Sequence, residues 1–269
     1  MNNSQNKAKS TIRPAAVAGQ FYPANPAELK LMVESYLNDV QDAPPPSKAI
    51  IAPHAGLIYS GPIAAIAYAS LQSVKEEISR VVLLGPSHRV YLKGLALSSV
   101  DYYETPLGKI EIDQDLCDSI RNLSQVSVAD AAHAQEHSLE VHLPFLQLVL
   151  DHFKLIPIVV GEASPEEVEE VLEILWGNDD TLVVISSDLS HYHDYETAQR
   201  LDLSTSKAIE NLQLESIGPQ QACGCTPMRG LLQLARNKHL KVKTLDLRNS
   251  GDTAGSKDRV VGYGAYAVN

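Results

Sequence analysis

The chain has 269 residues, 44% of them of hydrophobic type, with a formal net charge of -11 and a pI of about 5.2. That length builds a well-buried core, in one large domain or two small ones, and so acidic a surface argues against nucleic acid or an anionic membrane as the main partner. No apolar run approaches the roughly 20 residues that span a bilayer, and three cysteines (Cys117, Cys223 and Cys225) imply no disulfide framework and fit a reducing cytoplasm.

The polar start MNNSQNKAKSTIR lacks the apolar core of a signal peptide. Residues 1–11 are expected to be a frayed tail ahead of a single domain over 12–269. Asn25-Pro26-Ala27-Glu28 has helix-start grammar, with Asn as cap and Pro first. Leu29, Met32, Val33, Tyr36, Leu37 and Val40 continue it as one apolar face. Pro44 to Lys48 cannot extend a helix and leads into a strand over 48–52. A small-residue helix, PIAAIAYASLQ, follows His54, then strands over 80–85, 95–100 and 108–112. Residues 113–123 read as helix and 124–135 as loop. Residues 136–150 read as a helix that Pro144 should break or offset. A strand over 154–161 precedes a helix capped by Ser164, with Pro165 first and Glu167 third. Another buried strand (181–188), a long helix (195–212), a helix near 228–237 and two last strands (241–247 and 259–268) complete the chain.

Strands of continuous apolar type alternate with amphipathic helices, the pattern of an α/β fold. The expectation is one α/β domain with a mostly parallel central sheet flanked by helices, the last strands being antiparallel additions. Three buried strands end alike: IIAPH places His54 past the first, VVLLGPSH places His88 past the second, and VVISSDLSH places Asp188 and His191 past the third. Parallel strands put such ends on one edge, where ligands of open α/β sheets bind. Neutral imidazoles ligate zinc, iron and copper, and a further ligand is normally a carboxylate or thiolate. Cys223 is a candidate, because Pro227 reads as the first residue of a helix and a helix N-terminus lowers a nearby thiol pKa. The alternative is that Cys223 and Cys225 are small buried residues. HSLEVH fits neither HExxH nor HxxEH, since Val141 separates Glu140 from His142. On a helix His137 and Glu140 share a face, so that one of them enters the pocket as acid or base, or the pair is a surface or capping feature. No GxGxxG, Walker A or GxSxG sequence is present.

APHAG, LGPSH, SSVDxYxTPLG, EHSLEVHLPF, IPIVVG, SSDLSHY and the Cys223-Gly224 pair resemble, in order, the Memo-like family, also called AmmeMemoRadiSam system protein B. The resemblance runs from about Arg13 to the C-terminus. It implies a fold like the catalytic subunit of class III extradiol dioxygenases, which are non-haem iron enzymes. It also implies that His54 and His88 are metal ligands, with Cys223 the third where the dioxygenases use a carboxylate and Cys225 its rival. His191 matches the pocket acid/base, Asp188 belongs to the same motif, and His137 falls near the pocket. Prokaryotic members are associated with an AMMECR1-like protein and a radical SAM protein, and the animal member resembles a signalling adaptor with metal-dependent redox behaviour. The reading is a cytoplasmic oxidoreductase holding iron or copper, with zinc as a further candidate, in which His191 moves protons with Asp188 or His137. The competing readings are a non-catalytic peptide- or protein-binding module with a dioxygenase-like pocket, and a metal-free hydrolase with Cys223 as nucleophile.

Overall fold

The computed structural model describes residues 10–269, so residues 1–9 of the expected tail lie outside the described residues. Thr11 is already tied down, its backbone N–H and hydroxyl donating to Asp101 Oδ2 at 2.7 and 3.0 Å. The elements in chain order begin β1 (Ile12–Arg13), α1 (Pro26–Asn38), β2 (Ala49–Ala52), α2 (Leu57–Ala69), β3 (Arg80–Pro86) and β4 (Leu95–Leu97). Then come β5 (Tyr102–Thr105), β6 (Gly108–Glu111), α3 (Gln114–Ile120), β7 (Val126–Val128), α4 (Asp130–Ala134) and α5 (Leu143–Val149). β8 (Lys154–Val160), α6 (Pro165–Leu175), β9 (Thr181–Ser186), β10 (His191–His193), α7 (Tyr195–Glu210), α8 (Cys225–Asn237), β11 (Val242–Asn249) and β12 (Val260–Val268) follow.

The helix starts form for the chemical reasons their sequences suggest. Asn25 accepts from the amides of Ala27 and Glu28 ahead of α1, whose Leu29, Val33 and Leu37 are buried. Ser164 and Glu167 close a reciprocal capping box at α6.

The strands that carry the site sit at the centre of a nine-stranded sheet. β2, β9, β3 and β8 lie side by side and parallel, and their residues are almost wholly buried, as a parallel sheet covered by helices requires. β12 runs antiparallel to β2 and carries β10 and β11, also antiparallel. On the other side β4 pairs antiparallel with β8 and parallel with β7, so the whole sheet is mixed. β1, β5 and β6 make a small separate sheet. α6 and α8 pack on each other, α8 also against β3 and β9, while α1, α2 and α5 form a second cluster with α2 against β2 and β12.

Besides the short strands β1, β5 and β10, which the sequence expectation does not contain, three segments depart from it. α2 begins at Leu57, five residues ahead of Pro62, which sits inside the helix. Residues 124–135 hold β7 and α4 instead of a loop, stabilised by tertiary pairing of β7 with β4. Residues 136–150 are not one helix. A short 3-10 turn, Glu140–His142, precedes α5, and Pro144 lies in the first turn of α5, where its missing N–H costs nothing. That leaves Glu136, His137 and Ser138 outside any helix, free to address the sheet edge.

Candidate metal centre

The register of the parallel strands places the site. Ala52 pairs with Ser186 and Leu84 with Ile185. The chain therefore leaves β2, β3 and β9 at one level, delivering His54, His88 and Asp188 to the same edge. The fourth segment arrives from outside the sheet. Gly224 caps α8 so close to β9 that a Cβ there would meet Ser186 O at 2.3 Å, so only glycine lets this turn in. The turn carries Cys223 onto His54, with Sγ 3.4 Å from Nε2. One donor atom each of His54, His88 and Cys223 lies within 4.8 Å of the others. The His54 and His88 ring centroids are 5.2 Å apart. Cys225, by contrast, is the first residue of α8, buried and outside that group of donor atoms.

Each ring has its other nitrogen engaged. His54 Nδ1 lies 2.6 Å from Ser186 Oγ. His88 Nδ1 lies 2.9 Å from Glu136 Oε1. A carboxylate accepts only, so His88 donates from Nδ1 and keeps a lone pair on Nε2. Glu136 also accepts from the amides of His88, His137 and Ser138 at 2.6, 3.0 and 2.9 Å. Burial pushes its carboxyl up, but the His88 ring and these amides outweigh burial and hold it at about 2. Glu136 is therefore a buried anion throughout the physiological range, the partner that orients the His88 ring. The helical reading of residues 136–150 hid this residue, although it stands inside EHSLEVHLPF.

Asp188 joins two of the donor segments. Its Oδ1 accepts from the amides of His54 and Ala55 at 2.8 and 3.3 Å, and its own amide donates to Cys223 Sγ at 3.3 Å. Burial pushes its carboxyl above the usual range. His137 lies with its ring centroid 4.5 Å from that of His88 and 5.4 Å from that of His54, and is packed by Phe21 at 4.6 Å. Its Nδ1 is 3.3 Å from Glu136 Oε1 without hydrogen-bond geometry, leaving a buried nitrogen with no partner among the described residues. Glu140 does not share this face. It is turned away and buried, accepting from Arg13, Tyr22 and the amides of Ala16 and Val17. His142 also points elsewhere, to Ser186 and Tyr68.

His191 donates from Nδ1 to Leu189 O at 2.8 Å, which leaves Nε2 as an acceptor. With His137 and Asp188 it lines a cavity of about 420 Å³ whose walls include Phe21, Tyr59 and Tyr263. Arg259 and Tyr192 also line this cavity, the guanidinium 5.3 Å from the ring centroid of Tyr192. Tyr192 takes φ 62°, a strained backbone for a bulky residue.

Burial, reinforced by the neighbouring histidines, holds His54 well below the ordinary imidazole value, and burial holds His137 at about 4. Both rings are thus neutral and available as donors. The expectation of a lowered Cys223 thiol does not hold in the metal-free chain. Cys223 precedes the cap of α8, but burial, and next the Asp188 charge, push its thiol up. A buried thiol beside a carboxylate loses its proton only when a cation takes the charge.

The Memo family, described as "Memo-like protein", matches residues 13–267. The chain belongs to this family. A MEMO1 family protein of Sulfolobus acidocaldarius is 34% identical over 277 residues, covering 94% of this chain and 97% of the relative. One from Aquifex aeolicus is 36% identical over 263 residues, again 94% and 97%. An uncharacterized protein of Escherichia coli K12, known from its crystal structure, aligns with a TM-score of 0.48 at 10% identity, covering 80% of this chain and 98% of that one. Within this Memo-family chain, no helix among the described residues is long and apolar enough to cross a membrane.

Proposed function

We propose that this Memo-family protein holds one metal ion on His54, His88 and Cys223, and that the adjoining cavity is the active site of an iron- or copper-dependent oxidoreductase. One observation carries the reading: two imidazoles and a thiol converge within 4.8 Å, with both Nδ1 atoms engaged by Ser186 and Glu136. Two nitrogens and one soft sulfur suit copper, iron or zinc better than magnesium or calcium. Three protein donors leave a coordination position for a further molecule, the arrangement of catalytic more than structural metal sites.

A redox-active ion bound there supplies Lewis acidity and single-electron exchange to a molecule in the cavity. The chain's own groups do the rest. His191 takes or returns a proton at Nε2, and its bond to Leu189 O fixes the ring that does so. Asp188 holds the His54 and Cys223 segments together. His137, buried with a free nitrogen, stands ready to hydrogen-bond a bound molecule. Phe21, Tyr59 and Tyr263 wall the cavity with aromatic surface. The reading places the protein in the cytoplasm, which the three unpaired cysteines favour. AMMECR1-like and radical SAM partners rest on the family resemblance, and co-purification with them is their test.

The deciding experiment is elemental analysis of untagged protein prepared without metal-affinity steps. We expect about one iron or copper per chain, lost in His54→Ala, and oxidation of a catechol, with dioxygen as the electron acceptor, that disappears in His191→Ala. Metal-free native protein that His54→Ala leaves unchanged overturns the reading.

A further inference from the structure

Ser186 ends β9 with three partners on one hydroxyl: Ser138 O at 2.6 Å, His54 Nδ1 at 2.6 Å and His142 Nε2 at 2.8 Å. A serine hydroxyl has one proton and two lone pairs. The carbonyl can only accept, so the proton goes to Ser138 O. Both imidazoles must then donate N–H to the two lone pairs. His142, donating from Nε2, keeps its own lone pair on Nδ1, where Tyr68 OH donates at 2.8 Å. Ser186 and Tyr68 are 0% exposed and His54 and His142 1%, so no solvent is at hand to satisfy another arrangement. Were His54 protonated on Nε2 instead, two lone pairs would face each other across 2.6 Å unless the serine proton abandoned the carbonyl. Either alternative leaves a buried polar group unpaired, which the low-dielectric interior disfavours.

We propose that the Tyr68–His142–Ser186 chain is a tautomer lock. It fixes neutral His54 as the Nδ1–H ring, so that the Nε2 lone pair always faces Cys223. Its value as ligand preparation rests on the metal reading above, while its geometry does not. None of the three side chains belongs to the group of donor atoms, so they are positioning residues. The lock also joins the two histidines. The carbonyl that takes the serine proton belongs to the Glu136–Ser138 turn, whose carboxylate sets His88 and whose Ser138 Oγ donates to Pro86 O at 2.9 Å. Gly85 makes room for this turn, since a Cβ there would meet Ser138 Oγ at 2.7 Å. One turn thereby orients both rings.

The test is two-bond ¹H–¹⁵N correlation spectroscopy of metal-free protein labelled at histidine, with Co²⁺ titration alongside. We expect a pure Nδ1–H pattern for His54 and a pure Nε2–H pattern for His142. In Ser186→Ala, His54 becomes a tautomer mixture and Co²⁺ binding weakens about 10–100-fold, and Ser186→Thr, which restores the hydroxyl, recovers both. In Tyr68→Phe, Ser186 still requires Nε2–H from His142, so the His54 and His142 tautomers both persist and Co²⁺ binding weakens less than in Ser186→Ala. Should Ser186→Ala fail to fold, the wild-type spectrum and Tyr68→Phe carry the test. A wild-type His54 protonated on Nε2, or a folded Ser186→Ala with unchanged tautomer and affinity, overturns the lock. A wild-type protein with the locked tautomers that binds no Co²⁺ upholds the lock and overturns the metal reading instead.

Discussion

Glu136 shows how one side chain sets the chemistry of another. Its carboxylate fixes the His88 ring and accepts from the backbone amides of His88 itself and of His137 and Ser138 in its own turn. Glu136→Gln keeps the shape but brings an NH₂ group among N–H donors. We expect a stability loss of about 2–3 kcal/mol by urea unfolding and metal binding weakened about 10-fold or more. Unchanged affinity would mean that His88 needs no outer partner. Arg13 and Glu140 form a second buried pair, with Arg13 also donating to the carbonyls of His133 and Glu136 at 3.1 and 2.7 Å. Arg13→Met strands the Glu140 charge inside the protein, and a loss of about 3–5 kcal/mol is expected in the same measurement. The residues at strand ends were legible in the sequence, because a histidine directly after a buried apolar run can hardly lie anywhere but at a sheet edge. The partners that orient them were not. Glu136, Ser186 and Tyr68 act through geometry that only the folded chain creates, and nothing in their local spacing distinguishes them from capping or core residues.

At the scale of elements, the site depends on how closely α8 approaches β9. Gly224 permits that approach, and Gly224→Ala would force its methyl group into Ser186 O. Overpacking of this kind costs about 1–3 kcal/mol, and the displaced turn would withdraw Cys223 from His54. The expected outcome is a lowered urea midpoint together with loss of the thiolate-to-metal absorption of the Co²⁺ form; a variant that keeps that absorption contradicts the positional role of the turn. Most strands and helix starts followed from the sequence, since caps such as Asn25 and Ser164 and apolar runs such as RVVLLG are local signals. Short elements failed that test. β5 and β7 are strands because β1, β6 and β4 pair with them, a tertiary cause that a window of neighbours does not contain. Residues 136–142 failed for a different reason. Their polar side chains, given buried partners on three sides, override the helical pattern that their spacing suggests.

Across the whole molecule, neutral buried histidines make stability depend on pH. His133 and His137 are held at about 4 and His142 at about 3, burial being the leading cause, against 6.5 in an open chain. Below about 6.5 the unfolded chain binds protons that the folded chain refuses until about 4, so stability falls as pH falls through that window. At pH 5 each group costs about 1–2 kcal/mol relative to neutral pH. Glu136 acts lower: its contribution is present above 4.5 and is lost as pH drops toward about 2. The urea midpoint of metal-free protein should therefore drop clearly between about pH 7 and about pH 5, and a flat profile would contradict the neutral cluster. The central claim is that the three donors His54, His88 and Cys223 converge on one ion. X-ray absorption at the edge of the bound metal tests it most directly. The prediction is a shell of two imidazole nitrogens and one sulfur, with the sulfur contribution lost in Cys223→Ser and kept in Cys225→Ser; a shell without sulfur, or one that Cys223→Ser leaves intact, would contradict it.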